Sequence, residues 1–255
     1  MKHILTLLFV LCMVVTTAAQ TRTIHTFVAL CDNKNQGIVP VPASLGNGQS
    51  PGTNLYWGAA YGLKTYFKNK TPDWQLVQRY DLPDSTGILE RILFKHATED
   101  IFLLADAYDG AEIKDCTVDF LRASNGQAAL EIDYEDQPLH FGGKADLLAY
   151  VGHDGLMEFQ VNVDYEASTD NNNEVIILAC YSKSYFSKEI KKAGATPLLW
   201  TTHLMAPEAY ILKAAIDGWI NRESGAQIDE RAAQAYHKYQ KCGIKGARNL
   251  FTTGF

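Results

Sequence analysis

No block of basic residues occurs anywhere in this chain, and 23 Lys and Arg against 29 Asp and Glu leave a formal charge of -6. That balance argues against nucleic acid as a partner. There is no Cys-x-x-Cys pair, which removes the usual framework of a structural zinc site. The stretch Lys34 to Thr53 is dense in Gly, Pro, Asn and Ser, yet it lacks the Gly-Lys-Ser/Thr that opens a helix beneath a phosphate. Past the first residues no apolar run is long enough to cross a bilayer, so no membrane anchor is expected in the mature chain. Internal repeats and low-complexity tracts are lacking as well. What remains suits one sizeable α/β domain around a single core, spanning residues 20–255.

The first residues read as an export signal over 1–19. Lys2 and His3 make a short basic start, Ile4 to Val15 is almost wholly apolar, and Thr17-Ala18-Ala19 offers small residues for cleavage. Cys12 lies inside the apolar run and is a poor lipid-attachment site. The mature protein is therefore expected to be secreted or periplasmic. It keeps Cys31, Cys116, Cys180 and Cys242, which an oxidising compartment could pair in three ways. If Cys180 is kept free, at most one bridge remains.

Strands alternate with helices along the chain. Thr23 to Leu30, Trp74 to Tyr80, Ile101 to Ala105 and Thr196 to Thr202 read as strands, and Ala128 to Tyr134 with Pro138 to Phe141 as a small hairpin. Helices are expected over Asn54–Asn69, Ile88–His96, Ala111–Ala123, Tyr185–Ala193, Pro207–Arg222 and Ile228–Lys241. Met157 to Tyr165 reads as a strand or an extended loop. This order predicts a three-layer α/β/α sandwich with a mostly parallel central sheet.

The centre of the chain is the stretch from Ala145 to Ser182. Two apolar runs of strand length each end in a reactive residue: Ala145 to Val151 followed by Gly152-His153-Asp154-Gly155, and Glu174 to Ala179 followed by Cys180-Tyr181-Ser182. Continuous apolar runs suit strands buried on both faces, and ligands of such sheets sit beyond the carboxyl ends. A thiol and an imidazole at two such ends form the pair that a cysteine nucleophile and its base require. Period-two alternation would turn Asp154, next to His153, toward solvent.

In this order, strand–His–Asp–Gly, strand–Ala–Cys, helix–Gly–Ala and then Leu199-Trp200, the chain resembles the caspase-like cysteine peptidases, the group that holds caspases, gingipains and the CHAT domain. The resemblance covers roughly Ile101 to Trp219. It implies a caspase-like fold, an exported cysteine peptidase with His153 and Cys180 as the catalytic dyad, and an oxyanion site made by the backbone N–H groups of Gly155 and Cys180. It places Trp200, Thr201, Thr202 and His203 against a peptide or protein substrate and calls for no cofactor. Two departures are visible. Asp154 stands where the family has Gly directly after His, and the His-to-Cys spacing of 180 − 153 = 27 is shorter than the roughly 50 of caspases.

Acids at strand ends, Asp32, Asp106 and Asp109, are candidates for a pocket that takes a basic side chain, with Asp106 also a candidate substrate-binding residue. The blander reading is that Asp109 caps the following helix and Asp106 holds a loop. Two other functions compete with the peptidase. One is a non-catalytic module of the same fold that binds a peptide or protein. The other is a metal-dependent hydrolase in which His153, Asp154, Cys180 and His203 serve as zinc ligands, although no metal is expected.

Overall fold

A computed structural model describes residues 20–166 and 173–255, so the export signal expected over 1–19 lies outside the described residues. The β-rich runs assemble into one eight-stranded sheet. Its strands are β1 (Arg22–Ala29), β2 (Trp74–Tyr80), β3 (Ile88–His96), β4 (Ile101–Tyr108), then β7 (Leu147–Val151), β8 (Glu174–Leu178), β9 (Thr196–Thr201) and the two-residue β10 (Phe251–Thr252). The strand order is β10-β9-β8-β7-β1-β4-β3-β2. β5 (Leu130–Tyr134) and β6 (Gln137–Phe141) form the separate hairpin that the sequence suggests.

The sheet is mixed, which corrects the mostly parallel sheet expected. The inner strands β9, β8, β7, β1 and β4 run parallel, whereas β3, β2 and β10 are antiparallel to their neighbours. The reason lies in Ile88–His96, which was expected to be a helix. Its apolar residues satisfy a helical spacing as well as a two-residue one, a known ambiguity of short runs. The connection to β4 holds only Ala97–Asp100, too short for the crossover that parallel strands need, so the two segments pair as a hairpin.

Period-two alternation divides the inner strands between two layers. Leu147, Ala149 and Val151 of β7 and Ile176 and Leu178 of β8 pack with α1 (Leu63–Lys70), α4 (Ala209–Ile220), α5 (Gly225–Gln240) and α6 (Ile244–Leu250). Leu148 and Tyr150, with Val175 and Ile177, pack with α2 (Ile113–Ser124) and α3 (Ser182–Ala193). The result is a sheet covered by helices on both faces. α5 starts at a capping box between Ser224 and Gln227, a few residues before the expected start. α6 and β10 are elements the sequence reading lacks. Conversely, the helix expected from Asn54 begins only at Leu63. Residues 54–62 form tight turns whose N–H groups at Trp57, Gly58 and Ala59 converge on the Asn54 carbonyl. Met157 to Tyr165 is not a strand. Among the described residues no helix is long and apolar enough to cross a membrane.

Candidate active site

The parallel strands all end on one edge of the sheet, and their order there sets which residues can meet. β7 and β8 pair with Val151 opposite Leu178, an offset of 178 − 151 = 27. The Gly152 N–H continues the ladder by donating to the Leu178 carbonyl at 3.2 Å. Carried two residues past the last pair, the same offset matches His153 with Cys180 in the numbering, and both follow the ends of these adjacent strands.

Each residue reaches its place through a strained turn. Gly152 has φ +152°, and a Cβ there would lie 2.7 Å from the Ala29 carbonyl oxygen and 3.0 Å from the Ala29 Cβ. Only glycine passes so close to β1 on the way to His153. Gly152→Ala is expected to destabilise the protein by about 1–3 kcal/mol, read as a lowered urea midpoint; an unchanged midpoint would refute this role. After Cys180, Tyr181 is left-handed at φ +50° and turns the chain into α3. The turn is tied to β9: the Ser182 hydroxyl donates to the Ile177 carbonyl at 2.9 Å and accepts the Thr201 N–H at 2.9 Å. The Tyr181 N–H donates to the His203 carbonyl at 3.0 Å.

His153 is buried, and its Nε2 lies 2.5 Å from Glu158 Oε1. That oxygen also accepts the Gly37 N–H at 2.6 Å, and the His153 carbonyl accepts the Tyr150 hydroxyl at 2.8 Å. A carboxylate on one ring nitrogen fixes the orientation of the imidazole, the role of the third member of a catalytic triad. Glu158 is absent from the sequence reading. The signal was a His-x4-Glu spacing across a glycine-containing turn.

Asp154 does not face solvent, contrary to expectation: it is fully buried. Its Oδ1 accepts the Leu156 N–H at 3.1 Å and starts the short turn Gly155–Met157, whereas Oδ2 has no hydrogen-bond partner. Extended alternation fails here because the chain leaves the sheet at Gly152. Burial pushes the Asp154 carboxyl up to about 7, with the Glu158 charge adding to the rise against the Leu156 bond.

Cys180 is half-buried. Its Sγ lies between the Met205 N–H, which donates at 3.4 Å, and the Met205 carbonyl at 3.6 Å. Burial raises the thiol above its ordinary range, the Met205 bond opposes this, and the Asp154 charge raises it further. The roof over this edge comes from the glycine-rich loop after β1. Fully buried Asn54 holds it, accepting the Cys31 and Tyr56 N–H groups at 3.1 Å and donating to the Cys31 carbonyl at 2.8 Å. Tyr56 hangs from this clamp beside Cys31 and Cys180. Its hydroxyl is pushed well up by burial first and then by the charges of those two thiols.

The remaining expected site residues are spread more widely. Gly155 is buried, and a Cβ there would lie 2.4 Å from the Phe159 ring. Trp200 and Thr201 are fully buried, with the Thr201 hydroxyl bonded to the Ala179 carbonyl and the Ser182 hydroxyl. Neither presents its side chain to solvent. Thr202 donates to the Asn249 carbonyl at 2.7 Å, and His203 beside it is exposed. Asp106 lies two residues before the end of β4, fully buried and bound to Arg91 and His25. Asp109 accepts the Ala111 N–H at 2.8 Å and the Gln49 amide at 2.5 Å, the capping role. Cys31, Cys116, Cys180 and Cys242 are all free thiols, so no bridge forms among them. Among the described residues no group of three or more His, Cys, Asp or Glu side chains is arranged to hold a metal ion. No protein-family model, curated protein or solved structure matches the chain.

Proposed function

We propose that this protein is an exported cysteine peptidase of caspase-like fold, acting through Cys180 and His153. The observation that carries the reading is the shared register: β7 and β8 pair in parallel with Val151 opposite Leu178, and His153 and Cys180 each follow two residues later, beyond the carboxyl ends of these neighbouring strands. The hydrogen bond from His153 Nε2 to Glu158 supports it by orienting the base. Cys180 Sγ attacks the scissile carbonyl carbon while His153 takes the thiol proton. The proton then passes to the leaving amine as the C–N bond breaks, and water hydrolyses the thioester to regenerate the thiol. The N–H groups of Gly155 and Cys180 are assigned to the oxyanion, where one lost donor costs roughly 10²–10³ in rate. Because burial keeps the resting thiol protonated, attack depends on the base.

Alkylation by iodoacetamide tests this directly. Cys180 is expected to label selectively at pH 7, and His153→Ala is expected to slow that labelling by roughly 10²-fold or more. Equal labelling in the two proteins would favour a second reading, a non-catalytic peptide- or protein-binding module on the same fold. The hold of the Met205 backbone on Cys180 Sγ is the observation behind that alternative.

A further inference from the structure

We infer that the cavity between the segment after β9 and helices α5 and α6 receives an uncharged, apolar substrate side chain next to the bond that Cys180 attacks. This inference rests on the peptidase reading and adds the class of substrate. The cavity measures about 370 Å³, within the range of roughly 300–1,000 Å³ typical of small-ligand sites. Leu204, Tyr236 and Leu250 supply apolar walls, and His203, Asn249 and Cys242 complete the lining with Gly246. No Asp, Glu, Lys or Arg side chain lines it.

Three contacts join this cavity to Cys180. The Tyr236 hydroxyl accepts the Ala206 N–H at 3.3 Å, and Ala206 follows Met205, whose backbone holds the Cys180 sulfur at 3.4 and 3.6 Å. The Tyr181 N–H, next to Cys180, donates to the carbonyl of the lining residue His203. The Tyr181 and His203 rings stand 5.9 Å apart. Burial raises the Tyr236 hydroxyl, the Ala206 bond opposes this, and the Cys242, Cys180 and Glu208 charges add to the rise.

The lining decides the class of side chain. A lysine or arginine buried there would find no carboxylate in the lining, and an aspartate no cation; an unpaired charge in such a site is strongly disfavoured. The acids expected to form a basic-residue pocket are engaged elsewhere. Asp32 accepts the Lys34 and Asn35 N–H groups and the Gln49 amide, Asp106 is paired with Arg91, and Asp109 caps a turn. Asp106 lies in β4, and Asp32 and Asp109 follow the ends of β1 and β4, strands that β7 and β8 separate from β9. Leu204 stands 66% exposed at the rim, a large apolar side chain left uncovered where an apolar substrate group would enter.

Peptidyl chloromethyl ketones test the assignment on the full protein. In the labelling step the Cys180 thiolate forms an S–C bond, the C–Cl bond breaks, chloride departs, and the thiol proton passes to His153. Probes carrying Leu or Phe beside the ketone are expected to label Cys180 at least roughly tenfold faster than probes carrying Arg or Asp, read by mass spectrometry. Gly246→Phe fills the cavity from α6, where an added Cβ meets no atom within 4 Å. Within that variant, checked for an intact melting transition, the Leu probe is expected to fall to the rate of the Gly probe. If Arg or Asp probes match or exceed Leu in the wild type, the cavity assignment is wrong and the peptidase reading stands. If the Leu advantage over Gly survives in Gly246→Phe, the cavity is not the determinant. If no peptidyl probe labels Cys180 faster than iodoacetamide, the peptidase reading itself falls and takes this inference with it.

Discussion

Asp106→Ala is expected to destabilise the protein by about 3–5 kcal/mol, the usual effect of removing one partner from a buried charge cluster. Asp106 is fully buried at the heart of the sheet. Arg91 donates to it through Nε and Nη2, both at 2.6 Å, and His25 Nε2 lies 3.0 Å away. His25 Nδ1 accepts the Gly142 N–H at 3.1 Å, so its proton sits on Nε2 and faces Asp106. The alanine variant strands a guanidinium that is only 13% exposed, together with a buried imidazole N–H. For a chain of this size the melting temperature should drop by roughly 6–20 °C. Burial by itself would raise the Asp106 carboxyl, but the hydrogen bonds from Arg91 and His25 outweigh it and hold it below its ordinary range. A carboxyl lowered in the folded state contributes stability above its unfolded value and loses that contribution as pH falls below about 4. Wild type should therefore weaken more steeply than the variant in that acid range. A loss under about 1 kcal/mol in calorimetry at neutral pH would show the cluster to be dispensable.

Asp154→Asn should act in the opposite direction. The Asp154 carboxyl is pushed up to about 7 by burial and by Glu158. A carboxyl raised in the folded state leaves stability intact below its unfolded value near 4 and erodes it as pH climbs toward 7. At about 1.4 kcal/mol per pH unit, ionising this buried group costs roughly 4 kcal/mol by pH 7. Asparagine keeps an oxygen for the Leu156 N–H and carries no charge. The variant should exceed wild type in stability, with the gap widening by roughly 3 kcal/mol between pH 5 and pH 8. Urea midpoints at the two pH values measure this, and a gap independent of pH would contradict it. Removing a negative charge beside Cys180 also lowers the thiol, so iodoacetamide should label the variant faster than wild type at pH 8. A natural sequence that keeps an acid here accepts a stability loss at the candidate site, a trade commonly seen where chemistry is done.

Much of the arrangement was legible in the chain. The apolar runs Leu147–Val151 and Glu174–Leu178 are buried inner strands, and the residues that end them stand on one edge. Burial on both faces removes the polar alternation from such strands, and their short length separates them from buried helices. Asp109 could be assigned as a cap from its local spacing, because a cap is made by its own neighbours. Ile88–His96 could not be placed this way, since its partner β4 and not its own periodicity makes it a strand.

The chemical environment of Cys180 and His153 was hidden for the same reason. Asn54, Tyr56, Met205 and Tyr236 come from loops and a helix far apart in the chain, and no spacing links them to the two strand ends. Asp154 is the sharpest case. Its neighbour His153 and the alternation of β7 point it toward water, but the chain departs from the sheet at Gly152 and folds the carboxylate inward, where burial by distant residues sets its charge. Composition and periodicity determine which segments are strands and helices and which reactive groups end them, because these depend on near neighbours and on the demand to bury apolar surface. Which face a side chain meets, which loop roofs it and how readily it ionises depend on contacts between distant segments, and only the packed tertiary structure decides them.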